Sequence, residues 1–188
     1  MANDSNGNLL IAEGAAQFAN VTKEGEMWST SIATPIAAIV GLPTTLANLE
    51  IHNNGTRYMI IDTIWSWQLL GTAVVWSHTP WAQVGAPVFS ANTALVIGGG
   101  NGTTTTSATT SEVRTAITQT VVANGWRVFP GSTMNFGLAA ATPGGANVGD
   151  VDGRLVVPPG RALHVSVTGS VNTASAFHVG ASWYMAEA

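Results

Sequence analysis

The chain has 188 residues, 46% of them hydrophobic and only 9% charged, against roughly 25% charged in an average globular protein. Six basic and ten acidic side chains leave a formal net charge of −4, and Lys23 is the single lysine, so no electrostatic footprint for DNA or RNA is expected. The length suits one domain with a sizeable core, no apolar run approaches the roughly 18 residues of a spanning helix, and the lack of cysteine removes disulfide and thiolate chemistry.

The start, MANDSNGN, lacks the basic segment and apolar run of a signal peptide, so a product made in the cytoplasm and kept out of the membrane is expected. Residues 1–25 read as an extended arm. Leu9, Leu10 and Ile11 cluster after a polar tip, and Ala15, Ala16, Phe18 and Val21 follow around Gly14 with a period of neither 2 nor 3.6. The arm either packs across its own domain or reaches a neighbour, and because exposed apolar clusters mark contacts, Leu9, Leu10, Ile11 and Phe18 are the candidate residues for a subunit contact.

Residues 26–188 read as one β domain. Met27 to Ala33 is a candidate strand, ended by Thr34-Pro35 because a residue before proline is pushed out of the helical region and the ring has no donor. Leu46 to His52 and Arg57 to Leu70 read as a hairpin through Asn53-Asn54-Gly55. Its three-residue loop sets Leu49 opposite Met59 and Ala47 opposite Ile61. The apolar face then continues through Thr63, Trp65, Trp67 and Leu69, leaving Asp62, Ser66 and Gln68 on the other side.

Further strands are expected at Thr72 to Ser77 and Val88 to Ile97, with Pro80 and Pro87 in the loop between. Gly98 to Ser111, GGGNGTTTTSATTS, reads as a loop without the Lys-Ser/Thr of a nucleotide site. Val113 to Val121 alternates toward Asn124-Gly125, a hairpin signal that pairs Val121 with Val128 and Ala123 with Trp126. Met134, Phe136, Leu138 and Ala140 alternate again.

After a corner at Pro158-Pro159-Gly160, Leu163, Val165 and Val167 share one face and His164, Ser166 and Thr168 the other. The last strand sends Phe177, Val179, Ala181, Trp183 and Met185 one way, and the two strands read as a closing hairpin. With roughly eight to ten strands and no helix, the fold class is all-β: a single-domain antiparallel jelly roll or β-sandwich with an extended N-terminal arm.

Chemistry is sparse. His164 and His178 fall on one face of the expected closing hairpin, but two imidazoles without a third ligand make a poor metal site. Asp150 and Asp152, in GDVDG, supply fewer oxygens than a calcium loop needs and read as a solvated turn. Glu50 and Asp62 are the nearest approach to a glycosidase pair, and no serine stands in a nucleophile elbow. No catalytic residue, cofactor or metal ligand is assigned. Trp65, Trp67 and Trp183 are expected in the core, whereas Trp76 and Trp81 border a Pro/His loop and form a candidate surface contact, toward a subunit or a sugar.

The segments LANLEIHNNGTRYMIIDTIW, RLVVPPGRALHVSV and AFHVGASWYMAE resemble jelly-roll capsid decoration (cement) proteins of tailed bacteriophages, from about Leu46 to the end. The resemblance implies a homotrimer seated on the outer surface of the virion, clamping neighbouring subunits of the major capsid protein, with no catalytic residues and with the N-terminal arm as the natural element for capsid or neighbour contact. The alternative is a phage receptor-binding or fibre-tip head, also trimeric, binding host glycan through Trp76, Trp81 or the Gly98 to Ser111 loop. A carbohydrate-active enzyme using Glu50 and Asp62 is a third class.

Overall fold

The computed structural model describes residues 22, 24–32, 35–70, 78–88, 95, 97–100, 102, 104–105, 112–114, 119–122, 124–129, 131–134, 145–169 and 176–187. In chain order the strands are β1 (Met27–Ser31), β2 (Ile36–Ala37), β3 (Ile39–Val40), β4 (Leu46–Ala47), β5 (Leu49–His52), β6 (Tyr58–Leu70), β7 (His78–Gly85), β8 (Ile97–Gly99) and β9 (Thr104–Thr105). They continue as β10 (Glu112–Arg114), β11 (Gln119–Thr120), β12 (Arg127–Val128), β13 (Gly131–Met134), β14 (Ala146–Asp150), β15 (Val156–Val157), β16 (Ala162–Gly169) and β17 (Ala176–Ala186). Every element whose bounds are described is a strand.

Two sheets pack as layers. The first runs β13-β14-β6-β17-β1-β8-β9, with β15 also on β6 and β2 on β17; the second runs β10-β5-β16-β7-β12, with β3 also on β16. Strands β4 and β11 form a separate ribbon. Among the described pairs only β3 with β16 is parallel. The core lies where inward side chains meet: Met59, Ile61, Ile64, Phe177, Val179 and Trp183 from the first sheet, and Leu49, Ile51, Leu163, Val165 and Val167 from the second. The faces expected for β16 and β17 are those observed, and the fold is the all-β sandwich that the alternation dictates.

Pairing partners differ from expectation, and in one consistent way. β5 does not pair with β6; it joins β16 and β10 in the second sheet, while β6 lies in the first on β17, β14 and β15. β16 and β17 likewise belong to different layers, as the second-sheet strand β16 pairs β5 and β7. Instead of pairing across Asn124-Gly125, β11 joins β4 and β12 joins β7. Each expected hairpin is thus a connection that leaves its ladder. Consecutive long strands alternate between layers, the connectivity a jelly roll requires. Two strands facing each other across a core carry the same alternation as two hairpin partners, because period two reports the face and not the neighbour.

Asn53 shows what redirects the chain. It is fully buried, its Nδ2 donates to Arg57 O at 2.8 Å and to Val157 O at 2.9 Å, and its Oδ1 accepts from Gly55 N at 3.2 Å. Its carbonyl takes Gly160 N at 2.8 Å, and its own N–H reaches Arg161 O at 2.9 Å. The crossing from β5 to β6 is therefore bound to the crossing from β15 to β16, where Pro158-Pro159-Gly160 makes the expected corner with Gly160 at φ 73°.

A bulge reverses the outer half of β6. Ser182 pairs with Thr63 and Trp183 with Ile61, which leaves Asp62 as the extra residue. Below it Met59 and Ile61 face the core as expected; beyond it Ile64, Ser66 and Gln68 turn inward and Trp65 and Trp67 outward, the reverse of expectation. Asp62 is held there by Ser182 Oγ at 3.0 Å and Thr63 Oγ1 at 2.8 Å on its carboxylate, and by the N–H groups of Val151 and Asp152 on its carbonyl.

Pro80 is in a strand, not a loop: it lies on β7 opposite Val167 of β16, beyond the end of β12, where its missing donor leaves no ladder bond unmade. Part of the glycine-threonine run forms the β8–β9 hairpin, with Ile97 opposite Thr105. The strand expected at Thr72 to Ser77 and the alternation from Phe136 to Ala140 lie outside the described residues, as does the arm with Leu9, Leu10, Ile11 and Phe18.

Candidate functional site

Polar side chains on the outer face of the second sheet are covered, not solvated. Register sets His164 opposite Glu50 on one side and Gln83 on the other, and each of the three is only 1% exposed. His164 Nε2 lies 3.5 Å from Glu50 Oε2, while Glu50 Oε1 accepts from Val88 N at 2.9 Å. Gln83 donates to Val122 O at 3.1 Å and accepts from Asn124 N at 2.5 Å. The row thus fastens the segments around 88 and 122–124 over the sheet, which is why the apolar alternation of β16 carries buried groups on both faces. Glu50 and Asp62 sit on the outer faces of opposite layers, so the sandwich separates the acids that a glycosidase would bring together.

His164 and His178 are separated by the same change of partner. His178 is half-buried beside Trp67 on the first sheet, and burial lowers its pKa against a weaker opposing pull from a hydrogen bond to the Ile32 backbone. His78 lies between the layers, 2% exposed, with Nε2 donating to Ser66 O at 3.3 Å and its ring 5.0 Å from that of Phe177. Asp150 and Asp152 are exposed, and no group of three or more metal-ligating side chains occurs among the described residues.

Of the two tryptophans proposed as a surface contact, Trp76 lies outside the described residues. Trp81 is half-buried in strand β7, and its Nε1 donates to Thr168 Oγ1 at 2.8 Å. Trp183 is fully buried as expected. Trp65 and Trp67 are not core residues: the Asp62 bulge puts them on the outside, where the Trp65 indole lies across Gly180. Trp67 is 45% exposed and Val148, opposite Trp65 on β14, is 39% exposed.

A second surface feature escaped the sequence reading. A cleft of about 550 Å³ opens between the β12 edge of the second sheet and the 154–161 segment, and Arg127, Arg154 and Arg161 line it. These are three of only six basic residues in the chain. Arg154 is anchored, donating to the carbonyls of Val151 and Asp150 with its guanidinium 5.5 Å from the centroid of Phe129. Arg127 and Arg161 are exposed, and among the described residues neither has an ion-pair or side-chain hydrogen-bond partner. Arg57, by contrast, is tied to Glu26 at 2.7 Å, a hydrogen bond that raises its pKa. Only clustering in space distinguishes the three arginines, since their sequence positions form no run.

No family model, curated protein or solved structure matches the chain.

Proposed function

We propose that the protein is a structural, trimeric capsid decoration protein that sits on an outer shell surface and stabilises it by bridging shell subunits. The observation that carries this reading is the outer face of the first sheet, where Trp65, Trp67 and Val148 form an aromatic and aliphatic patch. An aromatic as open as Trp67 has little reason to face water in a monomer, and tryptophan is enriched where proteins meet. The scarcity of charge supports the same reading, because a chain with only 9% charged residues has few charges to desolvate when its surface is covered.

A sugar-binding head finds less support. Trp81 has its N–H engaged by Thr168 and is half-buried, so it offers no open stacking platform. The reading is tested by light scattering at several protein concentrations, where three chains per particle are expected, followed by co-sedimentation with undecorated shells. Trp67→Arg should release subunits or abolish shell binding while the circular dichroism of the fold persists. A stable monomer that does not sediment with shells would overturn the proposal.

A further inference from the structure

The arginine cleft has a composition that selects its ligand. Its unengaged polar groups are chiefly cationic donors, Arg127 and Arg161, whereas Gln83 and the Asn124 amide nitrogens are already bonded within the protein. Beside them the accessible aliphatic surface of the lining comes from Val156 and Pro158, with buried Leu155 beneath. Among the described residues no aromatic ring lines it. A sugar needs neutral hydroxyl partners and a stacking face, and the lining supplies neither. A chain of carboxylates and aliphatic groups matches both of its surfaces, since guanidinium groups take carboxylates through paired N–H bonds.

The backbone adds a second, independent observation. Among the described strands β12 is the last on its side of the second sheet and pairs with β7, and both of its residues are exposed. An extended peptide can add to such an edge by main-chain hydrogen bonds, with alternate side chains falling to opposite faces. Exposed Val128 and Val156, 44% and 39% accessible, flank the edge and the cleft.

We infer that this cleft and the β12 edge bind an extended acidic peptide segment of a partner protein, its carboxylates on Arg127 and Arg161 and its intervening aliphatic side chains on Val156 and Pro158. Arg154, fixed by two carbonyls and Phe129, serves as the rigid end of the site. The inference goes beyond the shell reading and does not depend on it, because such a segment fits whether it belongs to a shell subunit or to another protein.

The test uses the full chain and two synthetic peptides, acetyl-(Val-Glu)₄-amide and acetyl-(Val-Gln)₄-amide, titrated by calorimetry at low salt, with an acidic uronate oligosaccharide as a third arm. Saturable binding of the Val-Glu peptide with a Kd below about 1 mM is expected. Binding should weaken about tenfold for the Val-Gln peptide and for the Arg127→Gln/Arg161→Gln variant, whose exposed positions leave the fold intact. Half-molar salt should weaken it further. Three results would each overturn the proposal: no saturation by the Val-Glu peptide, equal binding by the double variant, or uronate binding as tight as that of the peptide.

Discussion

Replacing Asn53 by alanine tests the idea that one buried amide holds the two layer crossings together. The change removes three side-chain hydrogen bonds, at 2.8, 2.9 and 3.2 Å, that tie together residues 53, 55, 57 and 157. With each bond worth about 0.5–1.5 kcal/mol net, the loss comes to roughly 2–4 kcal/mol, toward the upper end because Val157 O is left without that donor. For a chain of this size such a loss lowers Tm by about 6–12 °C. Asn53→Asp sharpens the test. It keeps the acceptor for Gly55 N but turns an oxygen toward the carbonyls of Arg57 and Val157, so it should destabilise at least as much as alanine despite its near-identical shape. Urea unfolding, at one fixed protein concentration because association would add to stability, gives the midpoint and slope for each variant. A cost below about 1 kcal/mol for alanine, or wild-type stability for aspartate, would refute the clasp.

Gly180 is the place where Trp65 crosses the first sheet, and a Cβ there would meet the indole ring and lie 2.6 Å from Thr30 O. Gly180→Ala should cost about 1–3 kcal/mol, and Trp65→Ala should recover only part of it because the backbone contact stays; full recovery in urea unfolding would contradict this geometry. His78 predicts a pH dependence. Burial holds its pKa below the ordinary 6.5, against a weaker opposing pull from Ser66, so the unfolded chain takes up a proton that the fold resists. Stability from this site is complete above about pH 6.5 and declines as pH falls below it, by at most about 1.4 kcal/mol per pH unit. His78→Leu should flatten that slope relative to wild type between pH 6.5 and 5.5, and parallel slopes would count against the assignment.

What the amino-acid order determined by itself was the class of fold and, for most long strands, which residues face inward. Alternation in Leu163, Val165 and Val167 and from Phe177 to Met185 is a property of each strand's own backbone, and the fold preserves it. The corner at Pro158-Pro159-Gly160 was legible for the same local reason. Partners were not legible. Asn53 and Asn124-Gly125 carry strong turn chemistry, yet Asn53 bonds to Val157 and Asn124 to Gln83, contacts 104 and 41 residues away in sequence. Those long-range bonds decide that each turn crosses between sheets. The bulge at Asp62 is equally a tertiary matter: its carboxylate is met by Ser182 and its carbonyl by the 151–152 turn, and the displaced register turns Trp65 and Trp67 from expected core to surface. The arginine cleft follows from the same cause, because Arg127, Arg154 and Arg161 meet only when the edge strand of one sheet is laid beside the segment leaving the other. A residue's face is set within a few bonds of its own backbone, whereas its neighbours are chosen by the packing of the whole chain.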